Sequence, residues 1–183
     1  MTKLPLRTQR LLLRDFEAED WHGVHEYDAH PEVVHFMAWG PNTETNSREF
    51  VARNIAASQV TPRVCFELAV VEQDSSRLVG GVGLTVTPAH RKGFLGYCFR
   101  RDVWRRGYAT EAAREMLRFG FEDLDLHRIT TTCDVDNHAS ARVLEKIGLQ
   151  QEGTLRHDAL LRDGRWRDHF VYGILVDEWC QST

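Results

Sequence analysis

The chain has little of several things that would place it quickly. It has only four cysteines and five prolines among 183 residues. Cys65, Cys98, Cys133 and Cys180 are widely scattered, no two form a C-x-x-C pair, and most lie in apolar runs. That spacing argues against a zinc site and predicts reduced, buried, structural thiols. His22 and His25 lie three apart in a helical pattern and read as polar-face residues, so no metal is expected. Long hydrophobic runs are absent too: Met1 to Arg7 carries no stretch suited to a signal peptide, and the longest candidate, Phe170 to Val176, is strand-sized. A cytoplasmic chain with no membrane partner is the expectation. An excess of positive charge is also missing, with 27 acidic against 23 basic side chains and a net charge of −4. The basic residues Arg100, Arg101, Arg105 and Arg106 form one knot, not a stripe interleaved with aromatics, so no nucleic-acid partner is expected. There is no G-x-x-x-x-G-K-[ST] loop, and Gly80-Gly81-Val82-Gly83 lacks the third glycine and the following helix of a dinucleotide fingerprint. It reads as a closely packed strand.

What is present fits one domain spanning residues 1–183, since a hydrophobic content of 42% with five Trp and nine Phe supplies a sizeable core. Arg10 to Phe16 reads as a first strand and Glu17 to Asp28 as a helix, with Trp21, Val24 and Tyr27 at helical spacing. Pro31 interrupts. A second helix is predicted from about Asn46, capped by Asn46 and Glu49 ahead of Phe50, Val51 and Ile55, and fading by Pro62. Val64 to Val71, Leu78 to Val86 and Gly93 to Phe99 read as an antiparallel meander. A helix from Gly107, a strand at Ile129 to Val135, a helix from His138 to Ile147 ended by Gly148, and a hairpin around Asp163-Gly164 complete the chain. The order β-α-α-β-β-β-α-β-α-β-β describes an α+β fold with one mixed sheet.

The segment Trp104-Arg105-Arg106-Gly107-Tyr108-Ala109-Thr110-Glu111-Ala112 opens a helix directly after a strand. The first amides of a helix lack intrahelical acceptors and carry the positive end of its dipole, so they suit an anion. Gly107 has no side chain to hold a phosphate away. The apolar stripe Ala109, Ala112, Ala113, Met116, Leu117 and Gly120 faces a core while the first turn points elsewhere. The local arginines stand against an acidic background and would steer a polyanion. With neither a Walker loop nor a dinucleotide fingerprint, that ligand is neither ATP nor NAD.

Together with Asn137-His138-Ala139-Ser140-Ala141-Arg142-Val143-Leu144-Glu145-Lys146-Ile147-Gly148, this motif resembles the GNAT acetyltransferase superfamily. It is most similar to the branch of ribosomal-protein alanine N-acetyltransferases, through Thr8-Gln9-Arg10-Leu11-Leu12-Leu13-Arg14 near the start and Gly164-Arg165-Trp166-Arg167-Asp168 near the end. The resemblance implies a mostly antiparallel central sheet flanked by helices, with acetyl-CoA as donor. It implies that the pyrophosphate lies on the amides of Arg105, Arg106, Gly107, Tyr108, Ala109 and Thr110. It also implies that the strand ending at Phe99 and Arg100 splays from the strand near Asp134, so that the pantetheine arm pairs like an added strand. Asn137 would hydrogen-bond the cofactor near its reactive end; by its own residue type it is equally a helix N-cap.

The chemistry requires a neutral amine, donors for the oxyanion and a partner for the departing thiolate. Many members of the superfamily place a Tyr in the helix after Asn137, and Val143 to Gly148 contains none. Ser140 takes that role in this reading, since a thiol with a pKa near 8.5 needs only a hydrogen bond to leave. A superfamily glutamate five residues before the Asn is replaced here by Thr132. Asp134, two residues along the same strand, is the candidate base through a water. Glu67, Asp158 and Asp168 are rivals, and an α-amine with a pKa near 7.7 to 8.0 could arrive deprotonated. The acceptor is a protein N-terminus or a small amine such as an amino acid, polyamine or antibiotic. Its pocket is expected between Pro31 to Ser58 and the terminal hairpin, with His35, Phe36, Trp39, His157 and Trp166 as aromatic walls. A homodimer is expected to form, if at all, through Trp179 and an exposed strand from Phe170 to Val176. The alternative to an enzyme is a non-catalytic CoA-binding regulatory or interaction module on the same fold.

Overall fold

The computed structural model describes residues 4–162 and 164–182. Eight strands form one sheet in the order β1-β2-β3-β4-β5-β6-β8-β7. The strands are β1 Leu6–Arg7, β2 Leu11–Arg14, β3 Cys65–Glu72, β4 Arg77–Thr87, β5 Lys92–Phe99, β6 Arg128–Asp134, β7 Gln150–Leu160 and β8 Trp166–Leu175. The helices are α1 Trp21–Asp28, α2 Glu44–Ser58, α3 Tyr108–Arg118, α4 His138–Lys146 and α5 Val176–Ser182. Every strand pair is antiparallel except β5 and β6.

Alternation along the strands divides the core between two faces. On β3, Phe66, Leu68 and Val70 join Val82 and Leu84 of β4 and Leu95 of β5 under α3, whose stripe of Ala112, Ala113, Met116 and Leu117 is fully buried. On the other face Ala69 and Leu78 pack against Trp21, Val24 and Tyr27 of α1 and Val51 of α2. The α4 helix adds Leu144 to the α3 side. The donor-type motifs and the two N-terminal helices therefore lie on opposite faces of the sheet.

Several expectations require correction. The first strand is shorter than Arg10 to Phe16: it is β2, Leu11–Arg14, after which the chain turns and the Arg14 side chain pairs with Asp20 (2.6 Å); the two-residue β1 is added outside it. The α2 helix starts earlier: Thr43, not Asn46, is the N-cap, its hydroxyl accepting from the Asn46 amide while the Asn46 carbonyl accepts from the Thr43 amide. The α5 helix was not expected, since seven residues are too few to display a helical period. Trp179 on it is buried and stacked on Phe121 with ring centroids 6.0 Å apart. The strand expected at a dimer edge, β8, is interior, held by β6 on one side and β7 on the other. Neither Trp179 nor β8 is thus open to a second copy as expected. Cys133 is buried, Cys65 and Cys98 are half-buried and Cys180 is exposed, so the expectation of buried thiols fails for Cys180. Asp163 of the expected hairpin turn lies outside the described residues, and Gly164 adopts φ of +79°.

Leu84 is completely buried between β4 and α3. Leu84→Ala leaves a cavity there and should lower unfolding free energy by about 2–5 kcal/mol in denaturant titration.

Candidate active site

The β5 and β6 strands are paired over three residues only, Lys92 to Phe94 against Arg128 to Thr130. Beyond them the strands part, each still held along its other edge, β5 by β4 up to Phe99 and β6 by β8 up to Asp134. The result is a slot through the sheet. Because the two strands are parallel, α3 and α4, which follow them, both begin at the open end of that slot.

The loop between β5 and α3 is shaped by backbone constraints. Gly107 is the α3 N-cap, with φ of +82°, and Arg105 also has a positive φ of +65°. The first helix-closing bond runs from the Glu111 amide to the Gly107 carbonyl at 3.0 Å. The amides before Glu111 therefore have no intrahelical acceptor and face outward. The loop is clamped by the N-terminal strand: Glu111 accepts from Thr8 Oγ1 (2.6 Å), from the Arg10 amide (2.9 Å) and from Arg10 Nε (2.7 Å). Arg10 Nη1 in turn donates to the Arg106 carbonyl at 2.9 Å. Burial would raise the Glu111 carboxyl, but these donors outweigh it and hold it below the ordinary range.

The expected arginine knot divides. Arg105 and Arg106 have exposed side chains at the loop. Arg100 does not serve an anion with its side chain, because its guanidinium pairs with Glu26 and with Asp102. Arg101 pairs with Glu32 at 2.9 Å. Tyr108 turns its ring into the core, its hydroxyl donating to Glu72, so that only its backbone amide faces the loop. Phe99 is a core side chain whose carbonyl accepts from Trp104 Nε1 at 2.9 Å. Ala109 and Thr110 occupy the half-buried first turn.

A cavity of about 950 Å³ fills the slot and opens toward α1 and α2. It takes in Asn137 and Ser140 of α4 on one side and Glu67, Tyr27 and Phe50 on the other. Asn137 is the α4 N-cap, its Oδ1 accepting from the Ser140 amide at 3.1 Å. Ser140 Oγ lies 2.8 Å from the Tyr97 hydroxyl, a contact that crosses the slot from β5 to α4. Tyr97 was not anticipated. Its alternation with Leu95 and Phe99 marks a face of β5, but the serine it meets is 43 positions away, and no local pattern links them. Burial pushes the Tyr97 phenol well above its ordinary value, so it keeps its proton.

Asp134 is brought to the cavity already paired. Its oxygens accept from Arg167 Nε (2.8 Å) and Nη2 (2.9 Å), and the Asp136 amide donates at 2.9 Å. Burial alone would raise it; these donors prevail and hold it below the ordinary carboxylate range, which leaves it a poor proton acceptor. Asp158 is bonded to His169 at 2.8 Å and Asp168 to the His157 amide at 2.8 Å. Of the aromatic walls expected, Phe36 and Trp39 line the cavity. His157 and Trp166 instead stack on each other along the hairpin, with Trp166 54% exposed.

The residues present fit acetyl-CoA, combining a glycine-opened helix mouth, a strand edge free beyond Phe94 and a cavity reached by α4. Residues 10–150 match the model of the acetyltransferase (GNAT) domain. The chain is 32% identical over 174 residues to an uncharacterised N-acetyltransferase, YnaD, of Bacillus subtilis, covering 95% of this chain and 98% of that one. It is 26% identical over 116 residues to the [ribosomal protein uS5]-alanine N-acetyltransferase of Escherichia coli, covering 62% and 59% of the two chains. The crystal structure of a GNAT-family acetyltransferase from Bacillus anthracis superposes with a TM-score of 0.86 at 33% identity, over 95% of this chain and 99% of that one. With its domain match, its splayed strands and its fold all agreeing, the chain belongs to the GNAT acetyltransferase family and is an N-acetyltransferase that transfers an acetyl group to an amine.

Proposed function

We propose that the slot between β5 and β6 works as a two-sided passage, with the acetyl donor held from the α3 and α4 face and the amine arriving from the α1 and α2 face. The observation that carries this reading is the early end of the parallel pairing at Phe94 and Thr130, with a cavity spanning both faces beyond it. In this reading the amides of residues 105–110 hold the pyrophosphate, supported by the exposed Arg105 and Arg106 side chains. The backbone of β5 from Leu95 to Phe99 offers its free edge to the pantetheine arm. Arg100 contributes through its main chain alone. Asn137 both caps α4 and presents its side chain to the cavity.

When bound, acetyl-CoA supplies a thioester carbonyl open to attack by the amine nitrogen. Ser140 is placed to hydrogen-bond the sulfur as the carbon–sulfur bond breaks. The Tyr97 phenol stays protonated, so when it donates to Ser140 Oγ it leaves the serine's own hydrogen for the sulfur. Asp134 acts through structure, fixing Arg167 and the turn into α4. The acceptor is a compact primary amine, on a protein N-terminus or a small molecule, that passes between Phe36, Trp39 and Phe50. A cytoplasmic setting agrees with the reduced thiols of Cys65, Cys98 and Cys133.

Gly107→Val forces a β-branched residue into φ of +82°. The strain is about 1–3 kcal/mol, and calorimetric titration should show acetyl-CoA binding weakened about tenfold or more. Unchanged affinity would remove Gly107 from the donor site. Ser140→Ala should lower kcat about 10- to 100-fold while the acetyl-CoA Kd stays within about twofold, and Tyr97→Phe should reproduce part of that loss. Thiol release measured against peptides with free N-terminal Ala, Ser or Met and against polyamines, amino acids and aminoglycosides identifies the acceptor class. Binding of acetyl-CoA with no release across that panel would favour the non-catalytic module.

A further inference from the structure

We infer that Glu67 is the catalytic base, held over Gly83 on the amine side of the slot by a row of residues that leaves the floor clear from its carboxylate to the free edge of β5. This rests on the two-sided reading above.

The row is set by register. Glu67 of β3 faces Gly83 of β4, and Gly83 faces Gly96 of β5. All three therefore point to the α1 and α2 face, opposite Leu68, Leu84 and Leu95. The Glu67 side chain lies across its neighbour: a Cβ on Gly83 would stand 2.0 Å from Oε2, and one on Gly81 would stand 3.6 Å from Oε1. Any side chain at Gly83 would occupy the place of the carboxylate. The next strand over is about 4.8 Å away, and there a Cβ on Gly96 would find nothing within 4 Å. Gly96 lies two residues beyond Phe94, where β5 and β6 separate. The carboxylate is thus laid toward the slot over a sheet stripped of side chains.

Of the carboxylates of this cavity that are shielded from solvent, Glu67 is the one that nothing else holds; Glu49 is exposed. Asp28 accepts from Ser47 at 2.8 Å and from Asn42 at 2.9 Å, and Asp134 is taken by Arg167. Glu67 has no hydrogen bond or ion pair among the described residues, and burial pushes it up to about 7. The titratable groups nearest to it are Tyr27 of α1 and Cys98 of β5, both raised by burial and neutral near that pH. Glu49 and Arg53 of α2, Asp28 of α1, Arg162 beyond β7 and His169 of β8 line the same cavity. A free carboxylate poised at that pH takes a proton from an ammonium and returns it to solvent.

The step balances. As the amine nitrogen forms its bond to the acetyl carbon, the carbon–sulfur bond breaks and its electron pair leaves on sulfur as a thiolate, which the Ser140 hydroxyl holds by a hydrogen bond and solvent protonates. Glu67 accepts the proton lost by nitrogen and returns it to solvent. No oxidant or reductant is needed.

Three variants and two readouts test the assignment, with acetyl-CoA as donor and spermidine and a peptide with free N-terminal alanine as probes. In the wild type kcat should rise with pH through about 7, tracking the Glu67 carboxyl. Glu67→Gln should abolish that rise and lower kcat about 100-fold, with the acetyl-CoA Kd unchanged. Glu67→Asp should restore part of the rate, and Gly83→Ala, which displaces the carboxylate without altering it, should lower kcat and shift the limb. A Glu67→Gln enzyme that keeps the wild-type rate and pH profile overturns the assignment. The second readout needs no acceptor: ¹³C NMR titration of the carboxyl, assigned by its loss in Glu67→Gln. A midpoint near 7 upholds the poised carboxylate, and one near the ordinary value of about 4.3 overturns it. If wild type turns over neither probe, the amine class is wrong, and the titration still decides Glu67. A raised native pKa means that the folded state binds more protons, so stability falls as pH rises from about 4.3 toward 7. Glu67→Gln should therefore raise Tm at pH 8 more than at pH 5.

Discussion

The structure depends on a backbone pairing that stops early. The β5 and β6 strands share three residues of parallel ladder and then diverge, yet both stay ordered because each is fully paired along its opposite edge. The divergence leaves main-chain donors and acceptors facing a gap, and such groups are costly unless a partner supplies the missing bonds. A ligand with amide groups of its own, extended like a strand, fits that requirement. The same divergence places the starts of α3 and α4 at one end of the slot and lets the cavity run from one face of the sheet to the other. Closing the ladder by a few more residues would remove the passage while leaving the hydrophobic core almost untouched.

Around this opening, charge is managed by local pairing. Glu111 is surrounded by Thr8 and Arg10, Asp134 by Arg167 and the Asp136 amide, and Asp28 by Ser47 and Asn42. Each of these carboxylates fixes a piece of backbone around the opening: the loop into α3, the turn into α4, and the wall between α1 and α2. Glu67 is the exception, unpaired and raised by burial. An ionisable group left unsatisfied beside a cavity weakens the fold, and its neighbours Gly81 and Gly83 leave it the space it occupies.

The parts of the fold that were legible from residues alone are those set by local rules. The β3, β4 and β5 meander, the α3 helix with its buried stripe, and the α4 helix ended at Gly148 with φ of +95° all follow from period, turn chemistry and caps. Boundaries slipped by a few residues at element ends, as where β2 stops at Arg14 and the chain turns. The short α5 carried no period to read.

The site divides in the same way. Gly107, Asn137 and Ser140 could be named because a helix N-terminus is a local object, readable from a glycine, an N-cap and a first turn. The serine's partner Tyr97, the loss of Arg100 to Glu26, the capture of Asp134 by Arg167 and the position of Glu67 above Gly83 could not. Each is a meeting between strands or helices whose sequence separation exceeds any local period. The family resemblance, the glycine-opened start of α3 and the elements around it could be read from residues alone, since these rest on patterns within a few residues. Which carboxylate is paired and which is free, and where the sheet opens, was decided by tertiary structure, because strand register and burial set the environment of every one of those groups.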